Sequence, residues 1–419
     1  MNDTTALQQQ WQQQGADYAR AINEMLAFAS QYGWDAWTGE EAQDLREPLA
    51  GQVLQLLREA NRNNNTAAFR AAFTPALAPL TEYSGEQGRY IEPAVALDAQ
   101  TVLLMVGAPY ETRQAYLVAD GRCQALPADM VALGAAKQGE VVAVARAAQI
   151  ELRRGWDGEI LAVFDYRVGD AGITRLLPFN DASAVLVVSN AGIDLLSSQG
   201  CRHLCPDDEE RLEWDDDEPI RIDMENADLS HDNRLLCVGA QDTDHKLLNA
   251  QGEYLGQIGP QSSYPHFCLF AADDSHLLSN SCHFYNGISI AVDVRTPQNV
   301  AVEAYQDSEE ATDHLLIDDN MRVYAGVSTS EGMILGDATG YLRAYSWQGE
   351  PLWHHYLGGT ISGMALSPCG RTLWVGTYAG MLHQLALGQG QDAHTIGNGN
   401  HREDFRLLFW RNEQEVLRW

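Results

Sequence analysis

Between residues 205 and 219 the chain reads CPDDEERLEWDDDEP, which places nine carboxylates and one arginine in the twelve positions from Asp207 to Glu218. Acids at this density select cations. The cation can be a basic protein surface, or calcium held loosely by oxygen ligands in a loop without a preformed cage. Leu212 and Trp214 stand among the acids. An aromatic ringed by charge is how an interface anchor is built, the ring supplying buried area while the acids choose a basic partner. The partner-binding set expected from the sequence is therefore Asp207, Asp208, Glu209, Glu210, Leu212, Glu213, Trp214, Asp215, Asp216, Asp217 and Glu218. A solvated insertion without a partner is the plainer reading of such a charge run.

Other residue groups are weighed against chemistry in the same way. Cys201, His203 and Cys205 alternate, so on a regular strand they share one face and can approach a metal; no fourth ligand lies nearby, and a strand end with buried thiols reads as well. His266, Cys268, Cys282 and His283 can meet only across adjacent strands, where packing explains them equally. Asp98, Asp181, Asp232, Asp273, Asp274, Asp318 and Asp319 lie at turns, where aspartate bonds the backbone two residues on; no calcium-loop spacing accompanies them. The run GQGQDA at 388–393 opens no helix and so lacks the geometry that cradles a phosphate. Neither a P-loop nor a G-x-S-x-G elbow occurs. His354 and His355 face opposite sides of a strand with no nucleophile beside them. The expectation is a protein without catalytic residues, metal or cofactor.

The 419 residues carry 27 basic and 58 acidic side chains, a formal charge of −31. Such a field repels nucleic acid backbones and anionic membranes and hastens the approach of basic proteins. Lysine is almost absent, with only Lys137 and Lys246. The seven cysteines are odd in number and scattered, which suits reduced thiols. No apolar run is long enough for a membrane span and no export signal is visible, so a cytoplasmic location is expected.

Two regions must position these groups. Residues 1–80 read as helical: one helix from about Thr4 to Gly33, a second from Thr38, capped with Glu41 and running to the break at 61–65, and a third over Thr66–Ala72. From residue 88 to 419 short apolar strands alternate with polar turns. One phrase recurs, clearest in ISGMALSPCGRTLWVGTYAGMLHQLAL at 361–387, with turns near residues 98, 138, 181, 232, 273, 319 and 369. The spacing is that of four-stranded propeller blades, about 40–45 residues each. The widest interval holds the acidic stretch, so 206–219 is an insertion between the third and fourth blades. The last segment, 404–419, is expected to complete a blade begun near the N-terminal side of the repeats, in a ring of seven blades, or eight.

The phrase LSPCGRTLWVGT at 366–377 resembles the blade phrase of WD-repeat and YVTN-type β-propellers, and GDATGYLRAYSWQGEPLW at 336–353 is similar to a quinoprotein-type blade. The resemblance implies a mainly β propeller fold and no particular function. Pyrroloquinoline quinone is not expected, because the quinoprotein enzymes it would come from are exported. Three functions follow as expectations. The first is a non-catalytic protein-binding propeller, in one version a bacterial immunity protein that neutralises a basic toxin. The second is a lactonase-like hydrolase with a metal in the central funnel. The third is a passive scaffold.

Overall fold

The computed structural model describes residues 3–167, 172–214, 219–284, 286–306 and 311–419. Seven sheets of four or five strands form a ring, each with a core of four antiparallel strands, consecutive in the chain in every blade but the fifth. The first strand of each blade contacts the first strand of the next, so these seven strands line the axis: Ile91–Ala96, Ala132–Ala135, Ile173–Pro178, Asn226–Leu229, Tyr264–Phe270, Val323–Ser328 and Ile361–Leu366. The second strands, such as Val141–Ala145 and Ala184–Ser189, are buried throughout. They are sandwiched on both faces by neighbouring blades, which is why they read as unbroken apolar runs rather than alternating ones.

The aspartates at the turns act as turn formers. Asp98, Asp181, Asp232 and Asp273 each accept from the backbone N–H two residues on. The turns also bind one another from blade to blade: Gln138 N–H donates to Asn180 Oδ1, Asn180 N–H to Asn233 Oδ1, and His231 N–H to Asp274 Oδ1, at 3.0, 2.6 and 2.7 Å. One expected turn is misplaced. Asp319 lies between blades, because Leu315–Asp318 is the fourth strand of blade 5, and the first turn of blade 6 falls at 329–332. The connection into that fourth strand also lends Ala301–Val302 to blade 4 as a parallel fifth strand.

The ring has seven blades, and it does not close by a sheet shared between the chain ends. His401–Leu408 and Leu417–Arg418 are the fourth and fifth strands of blade 7, and blade 1 holds its own four. Closure is by packing. Ile91, Val102 and Leu104 of blade 1 meet Trp374, Leu382 and Phe405 of blade 7, and Ser362 Oγ and Gln384 Nε2 donate across the seam to Ile91 O and Ala99 O.

The N-terminal region holds α1 (Asp3–Tyr32), α2 (Ala50–Arg62), α3 (Thr66–Ala72) and α4 (Thr81–Gln87). The helix expected from Thr38 starts only at Ala50. Pro48 lacks a backbone N–H and disfavours helix in the residue before it, so a helix through it is blocked and a short 3-10 turn takes its place at Glu47–Leu49. These helices lie on the outer side of blade 7. Trp11, Leu54, Leu57 and Phe73 share a core with Met381, Leu408, Trp410 and Trp419. The indole N–H of Trp419 donates to Phe73 O at 2.8 Å, and Arg58 pairs with Glu413 at 2.6 Å. No helix among the described residues is long and apolar enough to cross a membrane.

Candidate interaction surface

In a four-stranded meander the loops between blades and the loops joining second to third strands emerge at one end of the ring. The acidic stretch joins blades 3 and 4 and so stands on this face. Residues Asp208–Leu212 form α5 rather than loop. Asp207 caps it, accepting from the Glu209 and Glu210 N–H groups, while the Glu210 side chain accepts from the Asp207 N–H. These backbone donors, ahead of Lys246, hold the Asp207 carboxyl below its usual range. Lys246 lies 2.6 Å from Glu210 and 3.5 Å from Asp207. Burial works against its ammonium, yet Glu210 and the other acids outweigh this and raise its pKa.

Asp207 and Glu210 are therefore occupied in holding the insertion to blade 4. Asp208, Glu209 and Glu213 are exposed, Leu212 is 85% exposed, and Trp214 is half-buried rather than free in solvent. Asp215, Asp216, Asp217 and Glu218 of the expected partner-binding set lie outside the described residues.

The same face carries an aromatic arc at the mouth of the axis that sequence reasoning missed. Ring centroids run from Tyr90 to Tyr378 at 5.0 Å, to Tyr324 at 5.9 Å, to His266 at 5.0 Å and to Tyr264 at 6.5 Å. Tyr110 and Phe284 stand nearer solvent, 82% and 68% exposed. Tyr264 and Tyr324 sit at the first and second positions of inner strands, and Tyr90 just before one. An aromatic recurring at blade starts was the available signal.

Arg322 ties the insertion to this mouth. Its guanidinium lies 5.0 Å over Tyr324, its Nη1 donates to Phe284 O, and its Nη2 lies 3.8 Å from Met224 Sδ on the return limb of the insertion. His266 Nδ1–H donates to Val323 O at 2.7 Å, which leaves Nε2 to accept from Arg322 Nε at 3.3 Å. Burial, then Arg322, brings the His266 pKa down to about 4. Near the mouth burial also pushes Glu225 up to about 7. Within the channel Glu92 pairs with Arg113, and Lys137 lies 2.8 Å from the buried Asp228.

The two cysteine–histidine groups weighed as metal candidates are arranged otherwise than their spacing alone allows. Pairing between Gly200–Cys205 and the adjacent strand slips by one residue beyond His203, so Cys205 turns into the core while Cys201 and His203 meet Asp194. His203 Nδ1 faces both Asp194 Oδ1, at 2.7 Å, and Cys201 Sγ, at 3.9 Å. A nucleophilic triad needs its acid and its thiol on different ring nitrogens. Burial and Asp194 also push the Cys201 thiol up to about 11. Cys268 lies with Cys237 and His245, away from His283, and both nitrogens of His245 are engaged, by Ser279 and Asn226. Among the described residues these two groups are the ones close enough to hold a metal.

No protein-family model matches the chain, and no curated protein matches it. Among solved structures 1339 chains match. One of them, KlHsv2 with loop 6CD replaced by a Gly-Ser linker, is 9% identical over 77% of this chain and 99% of its own, with a TM-score of 0.47. A likeness that distant carries no functional argument.

Proposed function

We propose that this propeller is a non-catalytic binding platform whose loop face engages a basic protein. The observation that carries the reading is the juxtaposition of exposed acids on α5, without an opposite charge among the described residues, with exposed apolar anchors, Leu212, Tyr110 and Phe284, on one face. Aromatic side chains supply buried area in an interface, and carboxylates select and steer a basic surface toward it. A cytoplasmic immunity protein that occludes the phosphate-binding cleft of a basic toxin is the most specific form of this reading, and the charge of −31 supports it.

The test compares the wild-type chain with Asp208→Asn/Glu209→Gln/Glu213→Gln as baits at low and high salt. Asp207 and Glu210 stay intact because they hold α5 together. A basic partner is expected on the wild type at low salt and reduced at least tenfold on the variant. Equal retention on both baits, or no basic protein on either, overturns the reading.

A further inference from the structure

Where the helical region meets blades 6 and 7, a cavity of about 90 Å³ is lined by Arg46, Arg70, Arg406, His355 and His394 with Tyr18 at its side. We propose that this cavity is a binding site for a small oxyanion, a carboxylate or phosphate group, clamped by Arg46 between the helices and the propeller. The site is separate from the loop face and rests on none of the residues invoked there.

Arg46 is 3% exposed. Its Nε and Nη2 bind the Asp44 carboxylate at 2.9 and 2.6 Å, and its guanidinium lies 5.0 Å over the Trp11 ring. That fixes the plane of the group and leaves Nη1 buried with no acceptor among the described residues. A buried N–H without an acceptor is costly, more so when charged, so its position calls for one. His355 and His394 also line the cavity, and each leaves Nδ1 unspent.

Gly15 of α1 brings two of these nitrogens together. A Cβ there would stand 2.5 Å from Arg46 Nη1 and 2.6 Å from His394 Nδ1. Only a residue without a side chain lets α1 lie this close, so the Gly15 backbone packs directly against Arg46 Nη1 and the edge of the His394 ring and holds both in place. Arg70 and Arg406 complete the lining, each also donating to Glu403. The lining carries three guanidiniums against two carboxylates, Asp392 and Glu403. With Asp44 behind Arg46 the set is neutral, so the ligand is selected by fixed donors rather than by net charge. The volume is several times the roughly 10–15 Å³ that a single water needs on the same measure, which leaves room for a small oxyanion.

The experiment uses the full chain and three probes, sodium phosphate, sodium acetate and sodium chloride, at matched ionic strength, read by thermal melting and calorimetric titration. Phosphate or acetate should raise Tm above the chloride control, and which of the two does so identifies the group. Gly15→Ala keeps every charge but drives its Cβ against Arg46 Nη1 and the His394 ring, displacing both; it should weaken binding at least tenfold. Should that variant fail to fold, Arg46→Lys keeps the charge but removes the unpartnered Nη1 and should lower the affinity at least tenfold. Identical melts in all three salts overturn the proposal. So does a shift that survives in the folded variants, or a crystal structure grown in phosphate that shows only water in the cavity.

Discussion

Glu403 and Glu209 are the same side chain in opposite surroundings. Glu403 is buried in blade 7, where Arg70 and Arg406 lie 2.9 and 3.0 Å away and His383 Nδ1 faces it at 2.6 Å; Glu209 stands in water at the start of α5. Burial pushes the Glu403 carboxyl up, but Arg406, Arg70 and His383 together hold it well below the usual carboxylate range. The difference separates two uses of acid in a chain that has an excess of it. Acids under the helices are fixed by opposite charges and belong to the fold. Asp208 and Glu209 on α5 have no opposite charge beside them among the described residues and stand exposed to solvent.

The contrast breaks or sharpens under four measurements. Trp419→Ala removes a fully buried indole that packs on Trp11 and Phe69. It should cost about 3–5 kcal/mol in urea unfolding, the largest single effect expected. Glu403→Gln leaves Arg70 and Arg406 without their shared counter-charge and should cost about 3 kcal/mol in the same assay. An equal cost for Asp208→Asn/Glu209→Gln/Glu213→Gln would erase the distinction between the two regions.

The third measurement is the pH dependence. Burial, then His401, lowers the His355 pKa to about 4. A histidine with a lowered pKa stays neutral in the folded chain and takes up a proton on unfolding. Its contribution is complete above about pH 6.5 and is lost as pH falls toward 4, at up to about 1 kcal/mol per pH unit. His355→Phe should flatten the slope of stability against pH between 4 and 6.5. An unchanged slope would mean that His355 is not held neutral. Smallest of all, the triple change on α5 should move stability by no more than about 0.5 kcal/mol while weakening the salt dependence of partner capture.

Much of the architecture was legible because each blade repeats a local rule. The Asx turns at Asp98, Asp181, Asp232 and Asp273 mark the hairpins, and the buried second strands mark the sandwiched positions. The sixth blade was misphased because Leu315–Asp318 reads like the first strand of a blade, and only its pairing with Asn286–Asp293 shows that it is the last strand of another. The aromatic mouth was not legible, since it draws on blades 1, 5, 6 and 7 and no local pattern states which tyrosines converge. The capping role of Asp207 and Glu210 was present in the D-x-x-E spacing but was masked by the charge around it. The cavity at Arg46 was equally hidden, because Gly15 reads as an ordinary helix glycine until His394 is brought against it.

The absence of a sheet shared across the seam has a consequence for synthesis. Each blade can pair its first strands as it leaves the ribosome, yet the contact from Phe73 to Trp419 spans 346 residues. The early helices must wait, with their apolar sides uncovered, until the seventh blade arrives. That interval is when the nascent chain is most exposed to aggregation, and when a chaperone would have most to shield.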